Sequence, residues 1–308
     1  MRRLSPALDA VIAPDASIQL LAEGFVWSEG PVWVREGGCL VFSDVPGNVM
    51  YRWSETDGVS EFLNPSGYDG PPTDAFAEPG QNGMALDAAG YLLACDHGNR
   101  ALVRIDLKTR AKTFVVDRHE GKRFNSPNDL AVAKSGAIYF TDPTYGLKGR
   151  NASPLRELDF NGVYRLRPDG TLDLLDTELT FPNGVALSPD EQRLYVSVSD
   201  PQAPKLWVYE LGPDGLPVGK TVFFDTAPLK NEGGLGLPDG MCLDTEGRLY
   251  ATGPGGVLVI TPRGELIGAI ETGTAIANCA FGEDGSTLFL ASHDKLARVR
   301  LKTRGLVW

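Results

Sequence analysis

Histidine and cysteine are scarce in this chain, with three of the former and four of the latter among 308 residues. Cys39, Cys95, Cys242 and Cys279 stand singly, without C-x-x-C or Cys/His finger spacing, so neither a zinc finger nor a disulfide framework is indicated. They read as small buried hydrophobes in a reducing compartment. No apolar run reaches membrane-spanning length and no segment carries a long helical period, so no membrane partner is expected. Lys and Arg number 29 against 40 Asp and Glu, a formal net charge of −11, which speaks against a nucleic-acid partner because phosphate neutralisation needs clustered cations. The opening MRRLSPALDAVIAPDA puts Pro6 and Asp9 where a signal peptide needs an apolar core, and a cytoplasmic location is expected. Nothing in the pattern sets an oligomeric state.

Turn formers and repeats are what the chain has in quantity. Gly 36 and Pro 22 suit many turns, and 42% hydrophobic content suits buried sheets. Laid against itself, the chain shows six related segments: EGPVWVREGGCLVFSD (29–44), NGMALDAAGYLLACD (82–96), NDLAVAKSGAIYFTD (128–142), NGVALSPDEQRLYVSVSD (183–200), DGMCLDTEGRLYATG (239–253) and ANCAFGEDGSTLFLASHD (277–294). Their opening residues are about 53, 46, 55, 56 and 38 residues apart, within the range of propellers and arrays.

Each segment has hairpin grammar: a short apolar strand, a Gly- or Asp-containing turn, then a strand rich in β-branched and aromatic residues. Third strands follow, as in KLWVYEL (205–211), and fourth strands in KTFVV (112–116) and LDLLD (172–176). The last unit has no fourth strand of its own, and SIQLLAE (17–23) is expected to supply it. Closing the ring would remove exposed sheet edges. The expected fold is therefore all-β, a six-bladed β-propeller closed by an N-terminal strand, with an N-terminal extension over 1–16 and a single domain over 17–308.

Five of the six segments open on an oxygen-bearing side chain: Glu29, Asn82, Asn128, Asn183 and Asp239. Equivalent positions of a propeller converge on its axis, so these five are expected to meet there. A single Asn-Gly or Asp-Gly pair would more simply mark a turn; recurrence in register at five positions points to convergence. Two carboxylates and three amides are hard oxygen donors, suited to calcium, manganese or magnesium ahead of zinc. Ala277 leaves the sixth repeat without a donor, and Asn278, one step out of register, is expected to face away from the axis. Second strands return to the same face, which brings Asp44, Asp96, His97, Asp142, Asp200 and His293 near it. The long connections 64–81 and 147–161 are expected to form a rim, with Tyr68, Tyr145 and Arg150 as candidate sugar contacts.

The strings EGPVW (29–33), NSPNDLAV (125–132), FTDPTYGL (140–147), FPNGVALSPD (181–190) and LPDGMCLD (237–244) resemble the gluconolactonase group of the SMP-30/gluconolactonase/luciferin-regenerating-enzyme-like family. The likeness runs from about residue 18 to the end and includes DHGNR (96–100). It implies a six-bladed propeller that binds one divalent cation, commonly calcium, and hydrolyses lactones. By motif it implies Glu29, Asn183 and Asp239 as ligands, with Asp239 also the proposed base, and Asn128 as a ligand or substrate contact. The four together form the expected metal set. Asn82, for which the resemblance calls for no ligand role, is placed as a substrate or water contact, alongside Asn125, Arg123, Asp142, Tyr145 and His97. Some relatives place an Arg close before the Asn128 equivalent, whereas Arg123 is separated from it by FNSP.

The function expected is metal-dependent hydrolysis of a small-molecule sugar lactone. A dication polarises the ester carbonyl and a carboxylate, Asp239, takes the proton of the attacking water. No G-x-S-x-G elbow is present for covalent catalysis. The alternatives are a broader lactone, aryl ester or organophosphate hydrolase on the same site, and a noncatalytic propeller scaffold.

Overall fold

The computed structural model describes residues 1–71 and 73–306; residue 72 of the expected rim loop and residues 307–308 of the expected domain lie outside them. Among the described residues, six antiparallel sheets, each led by one of the repeats, form the blades of a β-propeller, and a separate two-stranded ribbon pairs Arg118–His119 with Lys122–Arg123. The first blade runs Ser28–Val34, Cys39–Asp44, Val49–Ser54 and Gly58–Leu63 from inside to outside. The next three blades repeat that order with four consecutive strands each. The expected strands 112–116 and 172–176 are found as Lys112–Val116 and Leu172–Asp176.

Two segments from the N-terminus join blades at the other end of the chain. Ile18–Glu23 pairs antiparallel with Lys295–Arg300 as the outer strand of the sixth sheet. Arg2–Arg3 adds a fifth strand to the fifth sheet by pairing with Gly268 and Ala269. Between them, Leu8, Val11 and Ile12 are fully buried in the cluster of Tyr250, Val257 and Leu290. Residues 1–16 thus pack on the propeller through apolar burial.

The core is divided among the seams between blades. Six apolar clusters join the six neighbouring pairs of sheets, including the sixth with the first. At that last seam the rings of Trp33 and Phe289 stack with centroids 5.6 Å apart, and Trp53 meets Phe289 edge-on at 5.5 Å. Burying such rings removes large apolar areas from water and fixes one blade against the next. Cys39, Cys95 and Cys279 are buried within these seams, as free thiols.

Three hydroxyl groups tie the inner ends of the third to sixth blades together. Thr141 Oγ1 donates to the Asn183 carbonyl at 2.6 Å, Ser197 Oγ to the Asp239 carbonyl at 2.8 Å, and Thr252 Oγ1 to the Ala277 carbonyl at 3.1 Å. In each case a second strand fastens the opening residue of the following blade. No helix among the described residues is long and apolar enough to cross a membrane.

Candidate active site

The inner strands of three blades carry a register shift where they reach the axis, between Glu29 and Val32, Gln81 and Met84, and Pro182 and Val185. Such bulges release a residue from the regular pleat and re-aim its side chain. Here they coincide with Glu29, Asn82 and Asn183. These three residues, with Asn128 and Asp239, line one cavity of about 570 Å³ on the axial face, a size typical of small-molecule sites.

The glycine following the opening residue in most repeats has a steric reason. A Cβ on Gly83 would lie 2.1 Å from Asp129 Oδ1, and one on Gly240 would lie 2.0 Å from Asn278 Cγ. Asp129 and Asn278 therefore fill space that glycine leaves open beneath the cavity. Asn278 does not face away from the axis: its Nδ2 donates to Glu29 Oε2 at 3.0 Å. Its own strand pairs without a register shift, and Asn278 turns inward because Gly240 of the preceding blade leaves the space it occupies and Glu29 of the next blade accepts from it.

Electrostatics mark the floor of the cavity. Burial pushes Glu29 up to about 8, against the opposing effect of bonds from the Gly30 N–H and Asn278, with Asp129 and Glu78 adding repulsion. Asp239 is raised well above the ordinary carboxylate range, first by burial and then by Glu29, Asp129 and Glu78. Asp129 is pushed to about 7 by burial, although the Val185 and Leu130 N–H groups stabilise its anion. Without a cation the floor therefore resists full ionisation.

The amides present oxygen to the same space. Asn183 Nδ2 donates to Ser199 Oγ at 2.8 Å, while its buried Oδ1 has no hydrogen-bond partner. Asn82 Nδ2 lies 3.1 Å from His97 Nε2. No three His, Cys, Asp or Glu side chains gather into a metal cage among the described residues; the axial donors are instead two carboxylates interleaved with amides. Hard oxygen donors, two mutually repelling carboxylates and an unpaired buried amide oxygen together fit a divalent cation.

The expected substrate residues divide into two groups. Tyr145 lines the cavity, its hydroxyl donating to the Ser199 carbonyl at 3.1 Å and its ring lying 5.1 Å beneath the Arg150 guanidinium. Arg123, Asn125, Asp142 and His97 do not line it. Asp142 accepts the Asn125 and Ser126 N–H groups at 2.8 Å each, and burial pushes it to about 7. Asn125 donates back to the Asp142 and Phe160 carbonyls, Arg123 donates to the Asn99 carbonyl, and His97 is fully buried behind Asn82. Asp44 and Asp96 likewise hold turns through backbone N–H groups. The acids ending second strands thus shape the face rather than lining the cavity, because carboxylates satisfy the orphan donors of tight turns. Tyr68 turns its hydroxyl to the Pro71 carbonyl.

Pattern reading missed Glu78, Ser199, Lys230 and Trp27, all on the cavity wall. Ser199 ends a second strand and was reachable by the same logic that singled out Asp200. Glu78 belongs to a connection, where no repeat register exists to point to it.

The SMP-30/Gluconolactonase/LRE-like region description matches residues 27–294. A gluconolactonase from Zymomonas mobilis is 48% identical over 307 residues, covering 98% of this chain and 86% of that protein. The structure of a gluconolactonase from Xanthomonas campestris superposes with a TM-score of 0.83 at 36% identity, covering 97% of this chain and 94% of that one. A luciferin-regenerating enzyme shares the fold, with a TM-score of 0.74 at 15% identity over 95% and 98% of the two chains. With the repeats, the axial oxygen donors and these likenesses in agreement, the chain belongs to the SMP-30/gluconolactonase/LRE-like family.

Proposed function

We propose that this protein hydrolyses a sugar lactone with the help of one divalent cation held by Glu29, Asn128, Asn183 and Asp239. The observation that carries the reading is the convergence of these four side chains, from four blades, on one cavity. The elevated Glu29 and Asp239 and the unpaired Asn183 Oδ1 support a cation at that place. Calcium is the first choice for an all-oxygen set, with manganese, magnesium and zinc following. A bound dication supplies Lewis acidity that polarises an ester carbonyl and stabilises the developing oxyanion.

The protein's own groups do the rest. Asp239 takes the proton of the attacking water as general base, since it faces the cavity and its burial favours the protonated form. Asn82 and Tyr145 contact substrate from the wall. Ser199 holds the Asn183 amide by its Nδ2, which leaves Oδ1 for the cation. The similarity to gluconolactonases supports an aldonolactone ahead of an aryl ester or phosphotriester.

Pairing of Ile18–Glu23 with Lys295–Arg300 supports an N-terminal strand as the closure of the ring. The seams between all neighbouring blades support one domain over 17–308. We place the protein in the cytoplasm, on its four free, singly spaced cysteines. A pH-stat assay on glucono-δ-lactone after EDTA dialysis tests the mechanism: activity is expected to disappear and to return with calcium or manganese. Undiminished turnover by metal-free protein would sink it.

A further inference from the structure

We propose that Glu78 and Asn82 form a hydroxyl-reading wall that selects polyhydroxylated lactones, and that the buried His97 is the positioning residue that sets both. The inference rests on the lactonase reading of this cavity and deepens it. Glu78 and Asn82 both line the cavity. His97 stands behind them, with Nε2 3.1 Å from Asn82 Nδ2 and Nδ1 3.1 Å from Glu78 Oε2, the latter a close charge contact not aligned as a hydrogen bond.

Proton placement gives the wall its character. For a neutral imidazole, one ring nitrogen carries hydrogen and the other accepts. A carboxylate oxygen at 3.1 Å repels a ring lone pair, so the nitrogen facing Glu78 carries the hydrogen even though the contact is not aligned as a hydrogen bond. Nε2 is then an acceptor and can be satisfied only by the Asn82 amide N–H. Turning the amide over would set its oxygen against the Nε2 lone pair. Asn82 is thereby held with its nitrogen toward His97, leaving its oxygen for the cavity beside a carboxylate. Two acceptors side by side recognise O–H donors. An alkyl lactone or aryl ester offers none and leaves both acceptors unpaired when it displaces water, the kind of mismatch that gives polar sites their selectivity.

The wall is rigid. The Ala77 and Glu78 N–H groups donate to the Gly146 carbonyl at 2.9 and 3.4 Å, and the His97 N–H donates to the Gly80 carbonyl at 3.2 Å. Behind the imidazole, Gly146 approaches so closely that a Cβ there would lie 2.8 Å from His97 Cβ. Side chains locked by packing and by a second layer of polar contacts hold a binding geometry without reorganisation.

The test compares kcat/KM for glucono-δ-lactone and δ-valerolactone, which share the ester and differ in hydroxyls. Wild type is expected to prefer the polyol lactone. Glu78→Ala and His97→Leu are expected to lower the preference about tenfold or more, mainly through KM. His97→Gln, whose carbonyl oxygen still accepts from Asn82, is expected to retain more of it than His97→Leu. Equal kcat/KM for both lactones in wild type, or an unchanged preference in Glu78→Ala, overturns the proposal. Glu78 is half-buried, so its variant remains informative if His97→Leu fails to fold. Calorimetry with 1,5-anhydroglucitol, a polyol ring without an ester, reads the wall without turnover. Binding that Glu78→Ala weakens upholds the wall even if no lactone is hydrolysed, and no binding to wild type overturns it. Loss of hydrolysis with retained polyol binding would count against the lactonase mechanism alone.

Discussion

The two ends of the axial channel are built from the same inner strands and differ in almost every chemical respect. At one end Glu29, Asn82, Asn128, Asn183 and Asp239 line the 570 Å³ cavity. A few residues further along those strands, Val32, Met84, Leu130, Val185 and Leu243 line a smaller opening of about 220 Å³. Asp129 and Asn278 stand between the two, in the space left by glycines. Position along an inner strand, more than which blade supplies it, therefore decides whether a residue lines the larger cavity or stands beneath it. Bulges at three of the strand starts, those of Glu29, Asn82 and Asn183, contribute to the polar end by turning side chains out of the ordinary alternation.

The sharpest way to break this comparison is to remove a carboxylate from each level. Asp239→Asn is expected to cost roughly 100- to 10,000-fold in kcat, the usual range for a general base. Asp129→Asn, one level below, is expected to cost at least about tenfold less, since Asn retains an oxygen acceptor for one of the backbone N–H groups that Asp129 now accepts. Equal losses in a pH-stat assay would erase the distinction between floor and plug.

A second experiment forces the two levels together. Gly83→Ala drives a methyl into Asp129 and the Asn128 carbonyl, 2.1 and 2.8 Å from its Cβ. Overpacking of this kind typically costs about 1–3 kcal/mol, measurable as a lower urea midpoint with an unchanged slope. A wild-type midpoint would show that the approach of blade two to blade three is looser than described.

A pH scan tests the upper level by itself. In cation-free protein Glu29 titrates near 8 instead of 4.5, so the folded state holds a proton that the unfolded chain releases. Stability from this group is full below about 4.5 and is lost as pH rises toward about 8. Melting temperature in EDTA should fall across that window, and saturating calcium should flatten the fall, because cation binding favours the ionised carboxylate. A melting temperature in EDTA that rises over the window would contradict the burial of an uncompensated Glu29.

The four residues proposed to hold the cation were legible as a group because they ride on the repeat. Glu29, Asn128, Asn183 and Asp239 occur at one register position, and the fold brings equivalent positions to one axis. His97 and Asp142 were placed on the right face by the return of the second strands, yet both are fully buried and serve other residues. Alternation along a strand tells which face a residue approaches; it does not tell whether a neighbouring turn will claim its polar atoms first. Asn278 shows the complementary error, since counting along its own strand could not reveal the space left by Gly240 of the preceding blade or the Glu29 acceptor of the next.

The chain by itself determined the six-fold architecture, the strand order and the axial donors, since these follow from local periodicity and from recurrence along the chain. Only the tertiary structure decided that Glu78 joins Asn82 on the cavity wall, that His97 backs them, and that Asp129 and Asn278 plug the channel. Those arrangements depend on where connections fold back and on which atoms lie within hydrogen-bond reach. Both are set by packing between blades, for which the linear sequence has no period.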